Sequence, residues 1–188
     1  VQLESHLGRR FNVRGDDDPR LTPQAKHQGL PVAGYHDLVK NMLVGIAVRL
    51  NVEYSRGSQE YRARKLLVFT GPLDEFFACD LGRLKYRGQR RRHEWLPNSQ
   101  LLPCVQGNYP SPTVPFIRKI EWKHLLPAAE AATIHGTLLT TETPYTPHDA
   151  ACYEYPFPDR KNRVLAEQYR GRAAALEGAI VCGRLGDY

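Results

Sequence analysis

Arg118 stands in the stretch Val114-Pro-Phe-Ile-Arg-Lys-Ile-Glu-Trp-Lys-His124. Strand alternation puts Phe116, Arg118 and Ile120 on one face and Ile117, Lys119 and Glu121 on the other. A guanidinium that shares a face with Phe and Ile needs an anion, either a carboxylate of the protein or a phosphate of a ligand. A second stretch, Lys65 to Phe77, carries a continuous apolar run into Thr70-Gly71-Pro72, then Asp74, Glu75, Phe76 and Phe77. It reads as a strand covered on both faces that stops abruptly. Ligands of open α/β sheets lie at the carboxyl ends of such strands. Gly71 lacks a Cβ, which would let a flat ligand approach the backbone; an ordinary turn is the alternative reading. A third stretch, Arg87-Gly-Gln-Arg-Arg-Arg-His93 with Trp95 nearby, is either a nucleic-acid patch or the wet side of an edge strand.

Other residues offer less chemistry. Asp74 and Glu75 are adjacent and diverge, so they make no acid/base pair. His124, close to Glu121, reads as structural. Cys79, Cys104, Cys152 and Cys182 are far apart, with no Cys-x-x-Cys and no His at ligand spacing. Neither a zinc site nor a disulfide framework follows, and free thiols fit a cytoplasmic protein. There is no Gly-x-Ser-x-Gly, no Walker sequence and no Gly-x-Gly-x-x-Gly. A pyrophosphate loop for a dinucleotide is therefore not expected within this chain.

The elements that must position these residues are mixed. Residues 1–30 read as a long polar loop. A helix is expected from about Tyr35 to Gly45, with Leu38/Met42 and Val39/Leu43 as i,i+4 pairs. Ala47–Tyr54 alternates as a half-buried strand would, and Tyr61–Phe69 reads as another. Leu84–Arg92, Phe116–Trp122 and Thr133–Thr141 form short strands between Pro- and Gly-rich turns, the pattern of an antiparallel sheet. Asp159–Leu176 is expected to be a helix with Asn162 as N-cap, Leu165, Tyr169 and Ala173 on one stripe, and Gly178 as C-cap. Ala179–Cys182 is a short buried strand. The predicted fold is a mixed α/β chain, a partial α/β layer interrupted by an antiparallel β-sheet domain. The layer would hold the strands at 47–54, 66–69 and 179–182.

Bulk composition bounds the answer. The 188 residues carry a net charge of +6, mostly from Arg, which fits an anionic partner or a solvated basic surface. No apolar run approaches the roughly 20 residues of a membrane span. Residue 1 is Val, so a fragment with sequence missing on at least one side is expected.

Several phrases, in one order along nearly the whole chain, resemble the UDP-galactopyranose mutase family. Arg10-Phe11-Asn12 with the following Asp residues looks like its mobile substrate loop. His27-Gln-Gly-Leu-Pro-Val-Ala-Gly-Tyr35 and Phe69-Thr-Gly-Pro-Leu-Asp-Glu-Phe-Phe77 resemble two of its signature segments. Gly82-Arg-Leu-Lys-Tyr-Arg87, Asn108-Tyr109, Val114 to His124, Tyr155-Pro156 and Gly183-Arg-Leu-Gly-Asp-Tyr188 complete the series. The loop lacks the family's Tyr-Phe pair, with Pro19, Arg20 and Leu21 there instead, and Phe116-Ile117-Arg118 replaces Tyr-Thr-Arg.

The resemblance implies a flavoenzyme that interconverts UDP-galactopyranose and UDP-galactofuranose for bacterial surface polysaccharide, with no net redox change. N5 of reduced FAD would attack the anomeric carbon and displace UDP, so no protein nucleophile is expected. It implies segments 1–30 (mobile loop), 31–81 and 151–188 (parts of an FAD-binding α/β layer) and 82–150 (antiparallel substrate domain). Arg10 and Arg118 would grip the diphosphate. Asn108, Glu142 and Tyr155 would lie near the substrate. Thr70, Gly71 and Pro72 would wall the flavin, with Arg184 beside it. The partner would be a UDP-sugar rather than nucleic acid or a membrane, and a homodimer is left open. FAD is expected in the parent protein and not in the isolated chain, which would be inactive. Two other readings are a flavin amine-oxidase-like oxidoreductase and a basic module binding nucleic acid or an acidic polymer through Arg87–His93.

Overall fold

The structure, a computed structural model, describes residues 25–27, 29–57, 60–97 and 100–188. Arg10 and the rest of the expected mobile loop up to residue 24 lie outside the described residues. The chain divides into two compact units, Val1–Val52 and Glu53–Tyr188.

The first unit contains helix α1, Gly34–Met42. A turn from Pro31 to Gly34 leads into it, and Gly45, at φ +80°, lies just beyond it. The expected apolar stripe is present, but Leu38, Val39 and Met42 are all exposed. The strand expected over Ala47–Tyr54 does not form. Alternation alone cannot make a strand without a ladder partner, and Asn51, at φ +57°, breaks the extended path.

The second unit holds two sheets. β1 (Leu67–Phe69) pairs in parallel with β7 (Ala179–Val181), so the expected early and late strands do meet. β1 is shorter than the Tyr61–Phe69 run predicts. It is also covered on one face only among the described residues: Val68 and its register partner Ile180 are 54% and 47% exposed. The reason is packing. Helix α2 (Leu73–Phe76) follows β1, and helix α4 (Arg160–Ala174) precedes β7; α4 contacts both α2 and β7. Their core is Leu73, Phe76, Phe77, Leu84, Tyr86, Ala166 and Tyr169, with Leu67, Phe69, Ala179 and Val181 packed against it. Each buried Leu or Phe contributes about 1.5–3 kcal/mol. The expected stripe of α4 holds: Tyr169 is fully buried, stacks on Phe77 and donates its hydroxyl to Gly82 O at 2.8 Å.

The antiparallel sheet is ordered β3-β4-β5-β2-β6. Its strands are β2 (Tyr86–Leu96), β3 (Gln106–Asn108), β4 (Arg118–Glu121), β5 (Thr137–Tyr145) and β6 (Tyr155–Pro156). Thr133 is not in β5, as expected from sequence, but ends helix α3 (Ala128–Thr133), whose Ala- and Glu-rich sequence favours helix. Gly136, at φ +100°, then turns the chain into β5. A Cβ there would lie 2.7 Å from Trp95 and from Leu96 O, so no other residue fits without a shift.

The ends of α4 differ from expectation. The N-cap is Asp159, which accepts the Asn162 N–H at 2.7 Å; Asn162 is the residue being capped. The helix closes at Ala175, and Gly178, at φ +71°, serves the turn into β7. The Asn162 N–H, outweighing burial, holds the Asp159 carboxyl below its ordinary 3.8. Asp159→Ala is expected to cost about 1 kcal/mol at neutral pH. The carboxyl's pKa is depressed on folding, so its contribution is present above 3.8 and lost as pH falls through the lowered value. Denaturant titrations of mutant and wild type should therefore converge in acid; a constant gap would argue against the cap.

Candidate functional site

The antiparallel register lines up four predicted or neighbouring side chains in one row. Asn108 on β3 is opposite Arg118 on β4; Arg118 is opposite Glu142 on β5; Glu142 is opposite Arg91 on β2. Residues directly opposite in a sheet project from the same face, so the row is a consequence of register. Arg118 Nε donates to Asn108 Oδ1 at 3.3 Å, and its Nη1 donates to Glu142 Oε2 at 3.1 Å. Arg91 Nε donates to the other oxygen, Glu142 Oε1, at 3.0 Å. The Glu142 carboxylate is nearly fully buried, whereas both arginines keep a solvent-facing portion. The anion that Arg118 requires is thus, in the protein alone, a carboxylate of the protein.

The network continues past Arg91. Its Nη1 and Nη2 donate to the two oxygens of Glu154 at 2.8 and 2.9 Å, a two-bond fork. Gln89 N–H adds a third bond to Glu154. The fork with Arg91 outweighs burial and holds the Glu154 carboxyl below the usual carboxylate range, with the charge of Arg184 helping. The same fork raises Arg91 further above its ordinary value. Tyr155, next in the chain, pairs across β6 and β2 with Arg87, and the Arg184 guanidinium lies 4.8 Å from its ring centroid.

Arg184 carries the site to the parallel strands. It follows β7, and Thr70-Gly71-Pro72 follows β1, so both lie at adjacent carboxyl ends of a parallel pair. The loops are stitched together: Cys182 N–H donates to Phe69 O, and Leu73 N–H to Leu185 O. Gly183, at φ +87°, lies against Thr70, whose Cβ would be 3.6 Å from an added Cβ. The space beside Gly71 is filled: a Cβ there would be 2.6 Å from the ring of Phe69. Gly71 is therefore needed by its own chain, which seats Phe69 against Tyr54 and Phe76. Pro72 is buried too, so of the expected wall only Thr70 and Arg184 are exposed, at the ends of the two parallel strands.

Five predicted site residues, Asn108, Arg118, Glu142, Tyr155 and Arg184, thus fall on one connected set. Thr70, Gly71 and Pro72 adjoin it through the β1–β7 loops. Arg10 lies outside the described residues. Sequence reasoning missed Arg91 and Glu154, because the Arg87–His93 run carries no mark of which arginine meets a carboxylate. In that run Arg87 lies over Phe157, Arg90 over Tyr145, and Arg92 pairs with Glu94, so each of the four arginines has a partner inside the protein. The pairing with β6 covers only Tyr86 and Arg87, so the rest of the run does lie on a sheet edge among the described residues.

Elsewhere the charged groups are structural. Asp74 accepts the Leu84 N–H and the Tyr86 hydroxyl and is buried, while Glu75 is partly exposed and faces Arg83, so the two diverge as expected. His124 Nε2 is 2.9 Å from Leu102 O, beside the buried Glu121. Among the described residues no helix is long and apolar enough to cross a membrane.

The family model described as UDP-galactopyranose mutase matches residues 1–188. A probable UDP-galactopyranose mutase of Klebsiella pneumoniae is 28% identical over 194 residues, covering 100% of this chain and 47% of that protein. UDP-galactopyranose mutases of Mycoplasma pneumoniae and Mycoplasma genitalium are 26% and 24% identical, with 100% of this chain and 50% and 49% of theirs covered. The chain spans about half the length of these relatives. With the match running the full length of the sequence and taking in the Asn108–Arg118–Glu142 row, the chain belongs to the UDP-galactopyranose mutase family.

Proposed function

We propose that this chain is the substrate-gripping part of a mutase that interconverts the pyranose and furanose forms of UDP-galactose in the cytoplasm, for cell-surface polysaccharide. The observation that carries the reading is the in-register row Asn108–Arg118–Glu142, joined through Arg91, Glu154 and Tyr155 to Arg184 at the ends of β1 and β7. It sets anion-binding donors beside a place for a flat ring.

Arg118, with Arg10 from the preceding loop, would neutralise the diphosphate. Charge-assisted N–H bonds to phosphate are short and strong, and fixed donors hold the leaving group as it departs. Asn108 and Glu142 orient Arg118, and Tyr155 with Arg184 closes the site towards the cofactor. Thr70 and Arg184 would line FAD, with the pyrophosphate held by parts of the protein outside this sequence. When bound and reduced, the flavin would supply the nucleophilic nitrogen that the protein lacks. The part left to these residues is orientation of the sugar and charge neutralisation.

The test is the full-length protein incubated with UDP-galactofuranose, with and without dithionite, and products separated by chromatography. Conversion to UDP-galactopyranose only after reduction is the expected result. Consumption of an electron acceptor in proportion to product, or no conversion by the flavin-loaded protein after dithionite reduction, would overturn it.

A further inference from the structure

Glu142 is shared between two arginines, one on each oxygen: Arg91 Nε on Oε1 at 3.0 Å and Arg118 Nη1 on Oε2 at 3.1 Å. An arginine alone with a carboxylate takes both oxygens in a parallel two-bond fork, the stronger arrangement. Arg91 forms such a fork with Glu154. Arg118 does not form one with Glu142: Arg91 bonds Oε1, and a second guanidinium on that same oxygen would press two like charges together. It makes one bond to Glu142 and one to Asn108, and its Nη2 has no partner among the described residues. Its side chain is 32% exposed, so that edge is open to a ligand.

Arg91 is well placed to keep this division. Glu154 fixes its outer nitrogens, Gln89 N–H fixes Glu154, and register sets Arg91 directly across from Glu142. Charge works in the same direction. Arg91, Arg118 and Arg184 outnumber the carboxylates of Glu142 and Glu154 by one positive charge. Without Arg91 that surplus is gone, which weakens the attraction for a diphosphate.

We infer that Arg91 is a positioning residue: by occupying one oxygen of Glu142 it denies Arg118 the two-oxygen fork and keeps the outer N–H edge of Arg118 free for the diphosphate of the nucleotide sugar. The identity of the anion rests on the mutase reading; the division of Glu142 does not. Arg91 itself touches no substrate in this account.

The experiment is calorimetric titration of UDP into the full-length protein, comparing wild type, Arg91→Gln, Arg91→Lys, Glu154→Gln and Arg118→Ala, with crystal structures of wild type and Arg91→Gln. Arg91→Gln should weaken UDP binding about tenfold, and Arg91→Lys, which can still hold Oε1, should recover most of it. Glu154→Gln, which loosens Arg91 without removing it, should cost less, about threefold. In the Arg91→Gln crystal Arg118 should take both oxygens of Glu142. A merely structural role would lower the melting temperature and leave the Kd of the folded protein unchanged. If Arg118→Ala loses UDP while Arg91→Gln binds within twofold of wild type, the inference fails and the mutase reading stands. If Arg118→Ala binds UDP as wild type does, or wild type binds none, the diphosphate reading fails. The crystal then decides the role of Arg91: Arg118 still on one oxygen overturns it, and a fork supports it. Should Arg91→Gln not fold, Glu154→Gln and Arg91→Lys carry the same comparison.

Discussion

Asp74→Ala is expected to cost about 3 kcal/mol of stability, enough to unfold a marginal protein. Asp74 is 1% exposed and accepts two buried donors, the Leu84 N–H at 2.9 Å and the Tyr86 hydroxyl at 3.0 Å. The Cys79 thiol approaches the same carboxylate. Tyr86 is itself 1% exposed. Burial, with the Asp74 charge beside it, pushes the Tyr86 hydroxyl far above its ordinary value, so it remains a donor at any working pH. Alanine leaves both donors without their acceptor, and an orphaned buried group costs about 1–3 kcal/mol each. Tyr86 has a weak second acceptor in Leu185 O, 3.5 Å away, which trims the loss. Asp74→Asn keeps an oxygen for Leu84 and can donate to the tyrosine oxygen, so it should cost only about 1 kcal/mol. Urea denaturation of the full-length variants measures this. Equal midpoints for Asp74→Ala and wild type would show that the carboxylate does not tie α2 to β2.

Arg118→Ala in the full-length enzyme is expected to lower kcat/KM for UDP-galactofuranose by roughly 100-fold, as removal of one fixed anion donor does elsewhere. Alanine would remove the proposed grip on the diphosphate and leave the nearly buried Glu142 to Arg91 alone, with its Oε2 facing the space the diphosphate would fill. A carboxylate oxygen there repels the substrate. Arg118→Lys keeps the charge but cannot reach Asn108 and Glu142 together, so it should recover only part of the loss. Steady-state assays under reducing conditions decide it. Wild-type turnover by Arg118→Ala would remove Arg118 from the diphosphate site.

Much of the scaffold was legible because it rests on local patterns. The three long pieces of the antiparallel sheet show alternation and turn residues, and the stripe of Leu165, Tyr169 and Ala173 follows from helical spacing. The failures are of two kinds, element boundaries and long-range partners. Ala47–Tyr54 has the right alternation, but only a partner could make it a strand, and Asn51 turns the backbone the wrong way. Asp159 and Asn162 are both good caps, and the choice depended on where the helix axis began. In the site, the exposure of Arg118 to an anion was readable from its company of Phe116 and Ile120. The identity of that anion was not, since Glu142 lies 24 residues further along the chain. Arg91 was harder still: its carboxylates lie 51 and 63 residues away, and its neighbours Arg90 and Arg92 have the same composition but face the other side of the strand. Only the register separates the arginine that meets Glu142 from the two beside it.

The pairing of β1 with β7 has a consequence for how the protein is made. Among the described residues Leu67 pairs with Ala179. Between them lies the antiparallel sheet, whose last strand ends at Pro156. On a ribosome the sheet can close while the chain is still growing. The segment Leu67–Phe69 must wait, with its apolar side chains uncovered, until residues 179–181 emerge. Because the entropy of closing a loop grows only slowly with its length, the wait taxes time more than stability. It leaves an apolar strand open to misassociation during synthesis.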